Sequence, residues 1–300
     1  MATTDPLLAH RAVTALFRSG APLAVLHGED RLARFEPVTD VDLVSGLLPI
    51  ELVRSTESEW SRMGLHPIIF WPYDVGGTAT VFLTTPRANE GVQLDILHDP
   101  AGQGQYGLYS GRLLDHLIQG EQFPRLDHWA TLAYTARKRL VKGEIQAFRA
   151  AWHPDSRQGE RAARHVLAEG AVQEMISGRF RARPWISTAR VARAIRRLAR
   201  PIGAWAHIFD DRASSEVMAL ELERRFSRIL PHVHSSQLPQ PGPRLPGWWA
   251  SHVAPVRWRP GVYFSWSARS SVRADIAILR PLDVEDAAQQ TVSSLQARIF

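Results

Sequence analysis

The chain contains no cysteine. That excludes a disulfide scaffold and a cysteine-ligated zinc site. No apolar run is long enough to span a bilayer. The stretch Met1 to Gly20 carries Asp5 and has no apolar core behind a basic head, so it does not read as a signal peptide. The expectation is a cytoplasmic chain with no membrane span. Acidic residues are absent from Met175 to Phe209, a stretch that holds Arg179, Arg181, Arg183, Arg190, Arg193, Arg196, Arg197 and Arg200. Long polar tracts and internal repeats are also lacking.

What is present is the composition of a globular chain, with 45% hydrophobic and 22% charged residues. Three hundred residues exceed one ordinary domain, so more than one unit is expected. The formal net charge is +6, and arginine supplies most of the cations. This balance favours phosphate-bearing partners such as nucleotides, phosphosugars or nucleic acid, without choosing among them.

Apolar periodicity predicts a helix over 6–18 and a short strand from Leu23 to Leu26 that ends at Gly28. A second strand is expected within 35–44 and a helix from Pro49 to about Met63. Two strands, 68–71 and 78–84, follow as a hairpin. Another strand runs from Val92 to Leu97. Together these make an α/β unit over 1–118. From 119 to 202 the pattern turns helical, with Leu132, Ala136 and Leu140 on one face and a further helix at 186–200. That last helix reads either as one with a solvated basic face or as a site for phosphate or an acidic partner. Over 203–300, strands at 204–209 and 275–279 and helices at 214–230 and 284–299 suggest a small α/β lobe, with Asp283 as N-cap of the closing helix. Residues 231–261, rich in Pro, Gly, His and Trp, read as a long loop.

The chemistry concentrates in three pieces: Leu26-His27-Gly28-Glu29, Asp40-Val41-Asp42 and Leu94-Asp95-Ile96. Side chains alternate along a strand, so Asp40 and Asp42 share a face. Asp95 lies in a second apolar strand. Three carboxylates converging from two strands would hold Mg²⁺, a hard cation that takes oxygen ligands and is commonly shared with substrate phosphates. Gly28, in a tight turn after a strand, would let the backbone approach phosphate. Asp95 would serve as third ligand or as base for an acceptor hydroxyl.

Gly28-Glu29, ten intervening residues, Asp40-Val41-Asp42 and the later apolar-flanked Asp95 resemble the signature of the nucleotidyltransferase-fold (polymerase-beta-like) superfamily. The resemblance implies Mg²⁺, a nucleoside triphosphate donor, and transfer of a nucleotidyl group to an acceptor. Gly28, Asp40, Asp42 and Asp95 match the motif. Glu29 stands where the family has a small residue beside phosphate, and a carboxylate there would repel a triphosphate by on the order of 1 kcal/mol. By that reasoning Glu29→Ser would tighten Mg-nucleotide binding. The run from Asp99-Pro100 through Lys138-Arg139-Leu140-Val141-Lys142-Gly143 is similar to a bacterial subgroup whose members carry a thymidylate-kinase-like P-loop domain after a helical segment. Such proteins often sit in polysaccharide or natural-product gene clusters.

A phosphate-cradling loop needs glycines and a lysine. Ile208 to Val217 has neither, and Asp210, Asp211 and Glu216 would repel phosphate. The lobe 203–300 therefore reads as a degenerate kinase-like relic that binds no ATP. His232 and His234 read as a loop pair without a third zinc ligand. Trp248, Trp249, Trp258 and Trp266 read as cover for the core of the lobe, with base or sugar stacking as the alternative. The expectation is a nucleotidyltransferase acting on a saccharide, peptide or other small acceptor. Its rival is a non-catalytic binding or scaffold protein of the same fold. Nucleic acid is the weaker partner, because no recognised reading module is present.

Overall fold

A computed structural model describes residues 6–36, 38, 40–73, 77–152, 157–180, 201–209, 214–238, 248–267, 273–279 and 281–300. The fold is mixed α/β. Helix α1 (Pro6–Arg18) leads into β1 (Leu23–Val25), the short α2 (Glu29–Ala33), β2 (Val41–Ser45) and α3 (Pro49–Arg62). Strands β3 (His66–Pro72), β4 (Ala79–Thr84) and β5 (Gly91–Leu97) follow, then α4 (Ser110–Leu114), β6 (Leu117–Gln119) and β7 (Pro124–Leu126). These strands form one sheet in the order β3-β4-β5-β2-β1-β7-β6. The sheet continues past the boundary expected at 118, because β7 pairs in parallel with β1 and carries β6 beside it.

Alternation along the strands sends two sets of side chains to opposite faces. On one face Leu43, Val81, Leu94 and Ile96 pack beneath α1 and α3 with Leu8, Leu16, Leu52 and Trp60. The indole of the fully buried Trp60 donates to the Ala12 carbonyl and ties the two helices together (3.0 Å).

The other face has two covers. Over β1, β2 and the end of β5 lie α5 (His128–Val141), α6 (Ile145–Ala151), α7 (Arg157–Val166) and α8 (Glu169–Ser177), packed on Ala24, Leu26, Val44 and Leu97. Asp127 caps α5 by accepting from the Ala130 amide, a bond that fixes where the helix starts. The Arg137 guanidinium, wholly buried, pairs with Glu174 of α8 at 2.7 Å and donates to the carbonyls of Tyr106 and Gln105. The expected helix over 186–200, with its arginines, lies outside the described residues.

Over β3 and β4 lies the C-terminal lobe. Its strands β8 (Ala204–Phe209), β9 (His232–Gln237), β10 (Gly261–Ser267) and β11 (Ile276–Leu279) form a parallel sheet ordered β11-β8-β10-β9. Helix α9 (Ser214–Phe226), a π-helical turn (Trp249–Val253) running into α10 (Ala254–Arg257), and α11 (Val284–Gln296) cover it. Asp283 caps α11, as expected. Ile69 and Phe82 of the first sheet share one apolar cluster with Phe226, Phe264, Val292 and Leu295 of the lobe. His66 and Gln296 seal the junction with a 2.9 Å hydrogen bond.

The stretch 231–261 is not the loop expected from its composition. It contains β9, the π-helical turn and α10, and leads into β10, which the sequence reading passed over. His232 and His234 are thus strand residues. Trp248 and Trp249 do pack on the lobe, against Val253, Val256 and Tyr263. Asp210, Asp211 and the rest of 210–213 lie outside the described residues. Among the described residues no helix is long and apolar enough to cross a membrane.

Candidate metal centre

Strands β2 and β5 run parallel with Asp42 directly opposite Asp95, and β4 places Thr80 opposite Asp95 on its other side. All three point to the face between the two covers. Asp40 stands one residue before β2. One carboxylate oxygen from each of Asp40, Asp42 and Asp95 can be chosen so that all three lie within 4.8 Å of one another. The structure therefore brings the three acids together from two strands.

Their surroundings set their charges. Asp42 is 3% exposed, and burial alone would raise its pKa. The hydrogen bond from His27 Nε2 (2.9 Å) and the charge of Lys138, whose Nζ lies 2.5 Å away, reverse this and hold it down at about 2. Both contacts fall on Oδ2 of Asp42. The same hydrogen bond raises the His27 pKa. Asp95 goes the other way. Burial and then the neighbouring Asp42 charge push it up to about 6, against hydrogen bonds from Thr80 (2.6 Å) and Gln93 (3.2 Å).

The donor set is all oxygen, which fits a hard divalent cation and disfavours softer metals. Burial raises Asp95 first and the neighbouring Asp42 charge adds to it, and a bound divalent cation would offset both. By both measures the residues fit Mg²⁺.

The carboxylates open into a cleft of about 190 Å³ walled by Trp71, Tyr73, Tyr106, Tyr134, Lys138 and Lys142. The indole Nε1 of Trp71 is buried without a hydrogen-bond partner among the described residues. Such an unmet donor in a cleft wall is costly unless a ligand supplies the acceptor. Lys138 and Lys142 are the only lysines in the chain. They stand one turn apart, Lys138 in α5 and Lys142 capping its C-terminal end, and both line this cleft.

No protein-family model matches the chain, and no curated protein matches it.

From sequence, Gly28 and Glu29 are expected beside the phosphate. Gly28 ends the β1 turn with φ +78°, a left-handed backbone suited to glycine, and a side chain added there would meet nothing within 4 Å. Glu29 is different. It is 2% exposed, and its Oε1 accepts from the backbone amides of Gln122 and Phe123 at 2.9 and 3.1 Å. Its carboxylate latches α2 to the β6–β7 hairpin and does not line the cleft. The expected repulsion of a triphosphate therefore has no geometric basis.

His27, Thr80, Gln93, Lys138 and Lys142 were not singled out as site residues from sequence. For the lysines a signal existed: their scarcity among so many arginines, at helical spacing. For Thr80 and Gln93 only strand register reveals the role.

Proposed function

We propose that the chain is a Mg²⁺-dependent nucleotidyltransferase, moving a nucleoside monophosphate from a nucleoside triphosphate to an acceptor hydroxyl or phosphate. The observation that carries this reading is the convergence of Asp40, Asp42 and Asp95 in a cleft that also collects both lysines of the chain. Asp40, Asp42 and Asp95 would hold Mg²⁺, which would supply positive charge against the charge that develops on the phosphates. Lys138 and Lys142 supply further positive charge for the phosphates. Asp95, raised to about 6 by burial and the Asp42 charge, would serve either as third ligand or as base for the acceptor's proton. Trp71 and Tyr73, on the cleft wall, would offer aromatic surface to the nucleoside, and the buried Trp71 Nε1 a donor. Saccharide or natural-product biosynthesis is the setting that the sequence resemblance suggests.

One observation favours the rival reading, a non-catalytic member of the same fold. Lys138 sits on Asp42 as an internal cation, which would weaken metal binding. The two readings separate in one experiment. Mn²⁺ titration followed by electron paramagnetic resonance, with each of the four ribonucleoside triphosphates, is expected to show metal-dependent nucleotide binding that Asp40→Asn removes. Amine-reactive labelling read by mass spectrometry should show Lys138 and Lys142 shielded by the same metal-nucleotide pair, and pyrophosphate should be released when an acceptor is supplied. Absence of metal-dependent triphosphate binding in the unmodified protein would reject the catalytic reading. Binding without pyrophosphate release across an acceptor panel would favour the rival.

A further inference from the structure

A second cavity, of about 450 Å³, lies in the C-terminal lobe, between β9–β10 and the helical turns over 249–257. It shares no residue with the carboxylate cleft. His232, His234 and Ser236 line it from one face of β9, where residues two apart point the same way. Tyr263 of β10 pairs with His234 across the sheet, and its hydroxyl hydrogen-bonds Ser236 at 2.7 Å. His252 closes the helical side, its ring stacked on Trp248 and its Nδ1 bonded to the Trp248 carbonyl at 2.9 Å. That leaves Nε2 as its second nitrogen. Arg259 stands at the mouth.

The charge balance is one-sided. Among the described lining residues there is no carboxylate. The nearby Glu223 of α9 is engaged by the Ser235 hydroxyl. The side chains of His232, His234 and Arg259 make no hydrogen bond or ion pair among the described residues. They nevertheless sit close enough that the charges of Arg259 and His234 add to burial in pushing the His232 pKa down. Among the described lining residues no carboxylate pairs with the Arg259 charge, which leaves it to be met from solvent or by a ligand. The backbone imposes the arrangement. Gly261 is pressed so closely on β9 that a side chain there would meet the His232 carbonyl at 1.9 Å, and one at Gly203 would meet the Val256 carbonyl at 2.1 Å. The backbone that carries these side chains is therefore set before any ligand arrives, which lowers the cost of binding.

We infer that this cavity is a second ligand site, which takes a small polar molecule bearing a phosphate monoester. The phosphoryl dianion faces Arg259, His232 and His234, and the organic part lies against His252 and Tyr263. A carboxylate would satisfy the arginine alone. A phosphoryl group, with three oxygens and two charges, matches a guanidinium flanked by imidazoles. The volume suits a sugar phosphate.

Calorimetric titration of the full chain with ribose 5-phosphate, inorganic phosphate and ribose tests this. Saturable binding of ribose 5-phosphate is expected, with weaker binding of phosphate and none of ribose. The Arg259 side chain is exposed, so Arg259→Met leaves the fold intact; it should weaken binding at least about tenfold. His234→Gln should weaken it as well, and Asp40→Asn should leave it unchanged. Histidine ring resonances of His232 and His234 should shift on titration. The inference fails if ribose 5-phosphate shows no saturable binding, or if binding survives Arg259→Met combined with His234→Gln. It fails equally if Asp40→Asn abolishes binding, or if inorganic phosphate binds as tightly as the sugar phosphate.

Discussion

Replacing Arg137 by Met removes a charge from the most enclosed ion pair among the described residues. The guanidinium is wholly buried, and Glu174 Oε2 lies 2.7 Å away on a side chain only 9% exposed. Breaking such a pair from one side strands the other charge in a medium that cannot solvate it, at a cost of about 3–5 kcal/mol. The substitution also leaves the Tyr106 carbonyl without its 2.7 Å donor. Replacing both partners, Arg137→Met with Glu174→Met, removes the stranded charge. Only the orphaned carbonyls of Tyr106 and Gln105 remain, together worth about 1–3 kcal/mol or somewhat more. The double variant should thus be more stable than the single Arg137→Met variant by the cost of the stranded charge, about 3–5 kcal/mol. Urea denaturation followed by far-ultraviolet circular dichroism measures each step of this cycle. Tyr106 lines the carboxylate cleft and Lys138 is the next residue along α5, so Arg137→Met should also loosen the cleft wall. If the single variant loses less than about 1 kcal/mol, or if the double variant is the less stable, the buried pair does not act as argued.

Glu29→Ser should cost about 1–3 kcal/mol, because the buried amide of Phe123 and the half-buried amide of Gln122 in the β6–β7 hairpin lose their acceptor, and it should not tighten metal-nucleotide binding. A gain in nucleotide affinity by calorimetry without loss of melting temperature would restore the repulsion expected from sequence. His207 is fully buried between the hydroxyls of Ser265 and Ser267, and burial lowers its pKa from 6.5 to about 4. The native state therefore prefers the neutral ring. Its contribution is whole above pH 6.5 and is lost as pH falls towards 4, by on the order of 3 kcal/mol. Comparing the pH dependence of unfolding for the natural chain and His207→Asn isolates this slope; identical slopes would contradict the buried neutral imidazole.

The strands that carry the acids were legible because their residues obey two rules at once. Val41, Leu43, Leu94 and Ile96 are apolar and face α1 and α3, while Asp42 and Asp95 alternate with them on the other face. Helices α1, α3 and α11 were legible from apolar periodicity and, for α11, from the Asp283 cap. What escaped had no periodic signature. Strands β6 and β7 are three residues each, one starting at Pro124 and the other with every residue exposed. Strand β9 reads His-Val-His-Ser-Ser-Gln, and only Val233 of it enters the core. The misreading of Glu29 follows from the missed hairpin. With no partner visible for its carboxylate, the side chain was assigned to the phosphate. Lys138 reaches Asp42 across 96 positions of sequence, a separation at which local pattern carries no information.

Thr80 and Phe82 lie two residues apart on one face of β4, the first on Asp95 and the second in the core of the C-terminal lobe. The bond between His66 and Gln296 spans 230 positions at the same junction. During synthesis, then, the apolar half of the first sheet emerges long before the helix that covers it. Until residues 284–296 have been made, Ile69 and Phe82 stay open to solvent or to other chains. Contacts of such separation are slow to form, because the loop entropy is lost before the contact compensates. Refolding from denaturant is therefore expected to pass through a species with the α1–α3 side consolidated and the β3–β4 surface still binding hydrophobic dye. That species should depend on protein concentration for its losses, and strand β4 should be the last part of the carboxylate cleft to become rigid.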